Sequence, residues 1–388
     1  MREARRNIAL YIHWPFCLSK CPYCDFNSHI YGATNQDEWQ KSYLKSIDHF
    51  APHILGKNIV SIFFGGGTPS LMPPSLVGSI IDKLASLGSI RPDTEITLEA
   101  NPTSSCAEKF ASFKNAGINR LSIGVQSFKE NGLKALGREH TGLDAISAIE
   151  AAQKIFTRSS FDLIYAIPNQ TLQDWQEELK AAMRYAPSHL SLYQLTIEKG
   201  TPFYRMHRDG DFALPSNDMS ADMYQWTNEY LESSGYSSYE ISNYASAGEE
   251  CRHNLVYWNY GDYLGIGPGA HSRIQDNSSL AVMAMMHWSL PSKWLEEVHS
   301  KSAGVQQCHT LTSNEVVEEV LMMGLRLTAG ISDARLLEVT GLGFANVLNF
   351  PSMRQYIDAK FVAFEDGNLR LTEKGLLMHS YLVPRLIL

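Results

Sequence analysis

The chain lacks any surplus of positive charge. Its 33 Lys+Arg stand against 41 Asp+Glu, a formal net charge of -8 over 388 residues. A general nucleic-acid or anionic-membrane surface needs excess Lys and Arg, so neither is expected as a partner. Long hydrophobic runs are also missing: nothing approaches the ~18 apolar residues of a membrane span. The basic start (Arg2, Arg5, Arg6) resembles that of a secretion signal. The apolar run behind it, Ile8 to His13, is short and meets no small-residue cleavage site, so a buried first strand is expected instead. Dispersed cysteine pairs are absent too. Three of the six cysteines crowd together (Cys17, Cys21, Cys24), while Cys106, Cys251 and Cys308 are scattered, unlike a secreted disulfide framework. No internal repeat or low-complexity tract occurs. A soluble, cytoplasmic protein is the expectation. Hydrophobic residues (44%) and aromatics (11%) suffice for a substantial core, and the length suggests a large barrel plus an appended module.

Short β-rich runs alternate with amphipathic helical stretches through the first half. The strands are expected at Ile8–His13, Val60–Phe64, Glu95–Ala100, Arg120–Val125, Phe161–Ala166 and His189–Leu195. Helices are expected near Asp37–Phe50, Ser75–Leu87, Cys106–Ala116, Leu143–Phe156 and Leu172–Tyr185. Repeated βα units imply a parallel sheet with right-handed crossovers. The expected fold is therefore α/β, a partial (β/α)6 barrel over residues 1–200 with its site at the C-terminal strand ends. Residues 201–310 form a flanking segment rich in aromatics and glycine, with a helix at Asp218–Ser233. Residues 311–388 read as an α+β, winged-helix-like module. Its helices lie near Asn314–Leu325, Asp333–Thr340 and Met353–Ala359, its hairpin turns at Asp366-Gly367, and a last helix covers Glu373–Leu382. From Leu311 onward seven Lys+Arg face nine Asp+Glu, which argues against DNA as the module's ligand.

Cys17, Cys21 and Cys24 have the spacing CxxxCxxC in a loop directly after the first strand. Thiolates favour iron–sulfur clusters or zinc. A structural zinc site wants four protein ligands. No second Cys/His pair at finger spacing accompanies these three, which leaves a zinc knuckle with a distant ligand as the competing reading. A cubane cluster held by three thiolates keeps one iron open to a small molecule. The spacing resembles the radical-SAM class, in which that iron takes the amino and carboxylate groups of S-adenosylmethionine and the cluster reduces the sulfonium.

Four further elements sit at strand ends. Gly65-Gly66-Gly67-Thr68-Pro69-Ser70 follows the second strand. Residues without side chains let backbone N–H and C=O groups approach a ligand, though a tight βα turn would use them equally. Glu99, in Glu99-Ala100-Asn101-Pro102, can accept from both hydroxyls of a ribose, or can cap the strand end. Gln126, in Ser122-Ile123-Gly124-Val125-Gln126-Ser127, can donate and accept toward a nucleoside. Arg138 suits a carboxylate or a surface ion pair, and Asp162 comes from the next unit.

Together, Tyr11 to Phe26, GGGTPS, EANP, SIGVQSF and LGREHT resemble the family of oxygen-independent coproporphyrinogen III oxidase and its haem-chaperone relative, over nearly the whole chain. Three features favour the chaperone branch. Phe26 stands where the oxidase branch has a further cysteine. Only ten residues precede Tyr11, whereas the oxidase carries a longer extension. Cys251-Arg252-His253-Asn254-Leu255-Val256-Tyr257-Trp258 contains HNxxYW, typical of the chaperone group, and leads into Gly261–Ser272, which matches it as well.

The resemblance implies a [4Fe–4S] cluster on Cys17, Cys21 and Cys24, with Tyr11, Gly66 and Glu99 on the cluster-bound S-adenosylmethionine. Tyr23, Gly67, Thr68, Gln126, Arg138 and Asp162 match positions that the oxidase uses for a second S-adenosylmethionine. Haem is expected as cargo and recipient haem proteins as partners, with membrane-bound haem enzymes and a second copy of the chain as further contacts. His253 is a candidate axial ligand, since imidazole commonly ligates haem iron, with Cys251 as its rival and a structural histidine packing the open side of the barrel as the alternative. Tyr257 and Trp258 could stack on a porphyrin, or could pack the open side of the barrel. No catalytic residue is assigned, because the cluster would serve assembly or transfer. Radical decarboxylation of coproporphyrinogen III is the alternative.

Overall fold

The computed structural model describes residues 7–32, 35–102, 106–276, 279–301 and 303–388. Six strands form its parallel centre: β1 (Asn7–Trp14), β2 (Asn58–Gly66), β3 (Ser89–Ala100), β4 (Arg120–Gln126), β5 (Arg158–Tyr165) and β6 (His189–Gln194). They pair in that order, all parallel, for example Leu10 with Ile62, Phe64 with Leu98, and Leu163 with Leu192. Ile8, Leu10, Ile12, Phe64 and Leu98 are wholly buried, as expected of strands covered on both faces. Helices return the chain between strands, at Gln36–Ile54, Pro74–Leu87, Cys106–Asn115, Gly142–Ile155 and Leu172–Met183. Two of them begin with reciprocal capping boxes, Thr141 with Asp144 and Thr171 with Asp174, which satisfy the first free N–H groups. The α/β partial barrel read from the sequence is thus the observed fold.

Among the described residues the flanking segment holds six more strands that the sequence pattern did not reveal: β7 (Ser237–Glu240), β8 (Asn243–Ala245), β9 (Tyr263–Ile266), β10 (His271–Gln275), β11 (Val282–His287) and β12 (Val305–Thr310). They extend the centre at both edges, giving the order β12-β11-β10-β9-β1-β2-β3-β4-β5-β6-β8-β7. β9 pairs parallel to β1, Leu10 opposite Leu264. At three to six residues, these strands are too short to show a clear alternation.

A second core of Val316, Val320, Leu321, Leu336, Leu369 and Leu382 holds the C-terminal helices and hairpin together. Asp366 and Gly367 both have positive φ (52° and 72°), as a two-residue type I′ turn requires. The last helix differs from expectation. It is broken into Glu373–Leu376 and His379–Leu386, and Leu377 and Met378 at the break are exposed, so no packing holds one continuous register. The module is tied to the rest by Arg326 on Glu240 (2.6 Å) and Arg273 on Glu319 (2.7 Å). Among the described residues no helix is long and apolar enough to cross a membrane.

Candidate cofactor site at the barrel mouth

β1 ends at Trp14, and its loop carries the three cysteines across the C-terminal ends of β1 and β2. The loop is tethered on both flanks. Phe16–Cys17 pairs with His29–Ile30, and Tyr31 N donates to Cys17 O at 2.7 Å. On the other side Asn27 Nδ2 donates to Pro268 O and Ser289 O, both at 2.9 Å, while Asn27 O meets His13 Nε2 at 2.9 Å.

The glycine run presses against this loop. A Cβ on Gly66 (φ 116°) would lie 2.8 Å from Trp14 O, and one on Gly67 would lie 2.7 Å from Phe16 O. Gly67 N and Thr68 N spend their hydrogen bonds on Trp14 O (2.7 Å) and Phe16 O (2.8 Å). These two donors were expected to face a ligand. They pin the cysteine loop instead.

Burial pushes the Cys17 and Cys24 thiols up, and the charge of neighbouring cysteines adds to this. Two donors offset this. Thr68 Oγ1 donates to Cys17 Sγ at 3.3 Å, and Arg138 Nη1 to Cys21 Sγ at 3.4 Å. Arg138 Nη2 also donates to Asn101 Oδ1 (2.7 Å) and Gly124 O (3.0 Å), and Asn101 Nδ2 donates to Thr68 Oγ1 (3.1 Å). Thr68, Asn101 and Arg138 thus form one hydrogen-bonded chain running between two of the sulfurs. Tyr23 lies beside it, close to Cys21 and Arg138, with its ring against Phe203. Among the described residues no three His, Cys, Asp or Glu side chains are spaced to hold a single metal ion. Three soft thiolates, two of them accepting from Thr68 and Arg138, suit a cluster that keeps one iron open.

Gly124 leaves a cradle beside it. A Cβ there would meet Gln126 Nε2 at 3.0 Å, Asn101 Oδ1 at 3.2 Å and Arg138 Nη2 at 3.7 Å. Gln126 has positive φ (65°), and among the described residues its buried Oε1 finds no partner. An acceptor left open in this way fits a ligand that brings a donor. Deeper in, a cavity of about 190 Å³ is lined by Tyr11, Phe63, Glu99, Asp162, Tyr193 and His253, among others. Burial and the neighbouring Asp162 raise Glu99 to about 8, against the pull of its hydrogen bond from Gly66 N (3.3 Å). Burial likewise raises Asp162 to about 6, although Ser191, Arg120 and Ser122 oppose the shift.

The HNxxYW residues are packed into the protein around them. His253 is 2% exposed. Its Nδ1 meets Ser61 Oγ at 2.8 Å, its Nε2 meets Tyr257 Oη at 2.9 Å, and its ring stacks on Phe63 at 4.9 Å. Both ring nitrogens are therefore engaged, and neither is directed at an open axial position. Tyr257 packs edge-on against Tyr263 (4.5 Å), and Trp258 lies under the Arg326 guanidinium (4.7 Å), beside a separate cleft against the C-terminal module. Consecutive helical residues point ~100° apart, so these two rings make no common stacking platform. Cys251 is 1% exposed and donates to Glu95 Oε1 (3.4 Å); burial and the Glu95 charge push its thiol up to about 12. Glu95 is a residue the sequence reading missed. It accepts from His253 N and Arg252 N and pairs with Arg158 (2.6 Å), so it anchors the whole segment to β3. A glutamate in mid-strand carries no local signal of that role.

The family description "Radical SAM superfamily" matches residues 11–182, and "HemN C-terminal domain" matches residues 311–378. Heme chaperone HemW of Bacillus subtilis is 33% identical over 95% of this chain and 96% of its own length. The Escherichia coli protein of that name is 41% identical over 69% of this chain and 70% of its own.

The chain belongs to the radical-SAM HemW family.

A zebrafish relative, radical S-adenosyl methionine domain-containing protein 1, mitochondrial, is 34% identical over 98% of this chain and 87% of its own length. Coproporphyrinogen III oxidase of Escherichia coli shares the fold, with a TM-score of 0.82 at 23% identity over 99% of this chain and 91% of that one. Radical-SAM membership implies a [4Fe–4S] cluster and S-adenosylmethionine as the cofactors of the HemW-type barrel.

Proposed function

We propose that this chain is a haem chaperone, binding haem and passing it to recipient haem proteins. The observation that carries the reading is the match, end to end, to a relative named heme chaperone.

In this reading Cys17, Cys21 and Cys24 hold the cluster, and Thr68 and Arg138 stabilise its thiolates by donating to Sγ atoms. Once bound, the cluster and S-adenosylmethionine supply one-electron reduction of a sulfonium. Tyr11, Gly66 and Glu99 line the S-adenosylmethionine side, with Glu99 accepting from the ribose. Gly67, Thr68 and Arg138 serve mainly to brace the cysteine loop, to which they are already committed, with Tyr23 beside them, while Gln126 keeps an open acceptor and Asp162 lines the cavity for a ligand. The cytoplasm is the proposed compartment.

The test is transfer. Cluster-loaded chain carrying haem is mixed anaerobically with an apo-haem protein, and the recipient's activity is followed. Parallel incubation with coproporphyrinogen III and S-adenosylmethionine should yield no decarboxylated product; formation of that product would favour the oxidase.

A further inference from the structure

Asn101 follows the last residue of β3. β3 lies between β2 and β4 in the sheet, so its end stands between Thr68, just past β2, and Gly124 on β4. The Asn101 amide bridges this gap. Its Oδ1 accepts from Arg138 Nη2 at 2.7 Å, and its Nδ2 donates to Thr68 Oγ1 at 3.1 Å. The two ends of a carboxamide are alike in outline, so its orientation has to be read from its partners. Arg138 decides it here. A guanidinium only donates, so the atom facing it is the oxygen, and the NH2 group is turned to Thr68.

That orientation fixes the next link. Thr68 Oγ1 accepts from the amide, so its single hydrogen is directed elsewhere, and Cys17 Sγ lies 3.3 Å away. Thr68 is buried, which keeps water from competing for this hydrogen. At the other end Arg138 Nη1 donates to Cys21 Sγ at 3.4 Å, while Gly124 O steadies Nη2 at 3.0 Å. Every donor in the chain therefore points away from the guanidinium, and both ends finish on a sulfur. Hydrogen bonds linked in this way polarise one another. Arg138 thus serves Cys21 directly and Cys17 through the amide.

We propose that Asn101 is a positioning residue that sets the direction of the hydrogen bonds on Cys17 and Cys21, and through them the reduction potential of the cluster those thiolates hold. The inference rests on the cluster reading given above and deepens that same site. Hydrogen bonds to the sulfurs are among the factors that set such a potential, and donors favour the reduced, more negative form. The polarity of the chain depends on the amide. An aspartate at position 101 keeps the shape and still accepts from Arg138, but it has no hydrogen for Thr68. The Thr68 hydroxyl then turns to the carboxylate, and Cys17 loses its donor.

The experiment is an anaerobic potentiometric titration of the cluster-reconstituted full chain, read by the EPR signal of the reduced cluster in the absence of S-adenosylmethionine. Asn101→Asp, Asn101→Leu and Thr68→Val are compared with the wild type, and each Asn101 change is repeated on Thr68→Val. Iron content and the melting midpoint are the controls. Asn101→Asp should lower the equilibrium constant for one-electron reduction ~10-fold or more, a shift of ~59 mV. On Thr68→Val no hydroxyl remains to turn, so the same change should shift the potential much less, by the added charge alone. Asn101→Leu adds no charge and should follow the same pattern with smaller shifts. Equal shifts on the two backgrounds, or no shift, overturn the proposal and leave the cluster reading standing. Loss of iron in any variant marks the chain as a bracket for the cysteine loop only, and the proposal falls. A wild type that reconstitutes no [4Fe–4S] signal overturns the cluster reading itself.

Discussion

His253 Nε2 and the Tyr257 hydroxyl lie 2.9 Å apart, one helical turn from each other, and each closes the other's hydrogen-bonding needs. With Ser61 on Nδ1, the imidazole is held as a neutral buried strut whose affinity for a proton is lowered by burial to about 3. His253→Ala should therefore destabilise the haem-free protein by ~2 kcal/mol or more, since it opens a cavity and leaves Ser61 and Tyr257 unpaired. Thermal unfolding without haem tests this; an unchanged midpoint would return His253 to the role of a ligand without structural duty. The pH sign follows from the depressed value. The folded state binds fewer protons between about 6.5 and about 3, so stability from this group is present above 6.5 and is lost as pH falls toward 3.

Arg138 should prove indispensable to the cysteine loop. It donates to Cys21 Sγ, Asn101 Oδ1 and Gly124 O together. Arg138→Ala is expected to weaken S-adenosylmethionine binding by ~10- to ~100-fold, from the loss of charge-assisted hydrogen bonds. Arg138→Lys should recover only part, because an ammonium cannot span the same fork. Equilibrium binding to the reconstituted protein is the measurement, with iron content reporting on the cluster.

Gly67→Ala places a methyl group 2.7 Å from Phe16 O, and backbone cannot yield as a flexible side chain can. The cysteine strand must shift. Reconstituted iron per chain should fall sharply, and the melting midpoint with it. Gly56→Ala is a fair comparison: Gly56 has positive φ (73°), which Gly67 does not, but nothing lies within 4 Å of the added Cβ, so it should lose stability without losing iron.

Glu99 and Asp162 share a buried site, and the Asp162 charge adds to burial in raising Glu99. Glu99 binds its proton up to about 8 in the folded chain, against an ordinary carboxylate value of 4.5. The folded state thus holds more protons between about 4.5 and about 8. Stability from this group is full below 4.5 and declines as pH rises through 8. Glu99→Gln should remove that decline, so the ligand-free variant should melt above the wild type by ~2 °C or more at pH 9. At pH 5 the two should agree closely. Equal melting curves at both pH values would contradict the buried-pair account.

The centre of the fold was legible because its strands are apolar on both faces and its helices carry caps, as Ile8–Ile12 and Thr141–Asp144 illustrate. The cysteine spacing and the glycine run were legible as covalent pattern. What the glycines do was not, since the close approach of Gly67 to Phe16 depends on two strands meeting. β7 to β12 escaped because short strands at sheet edges carry little periodic signal. HNxxYW was legible as a motif, but which of its two readings its side chains serve, ligand or packing, was not. A histidine in sequence does not disclose whether its nitrogens are spent, and Ser61, Phe63 and Glu95 reach it from β2 and β3, far along the chain.

The most direct test of the central claim is haem transfer by the cluster-loaded chain under strictly anaerobic conditions. The account predicts saturable haem binding, transfer that restores an apo-haem protein, and no decarboxylation of coproporphyrinogen III. Failure to bind haem, in a sample that consumes S-adenosylmethionine and decarboxylates coproporphyrinogen III, would contradict it.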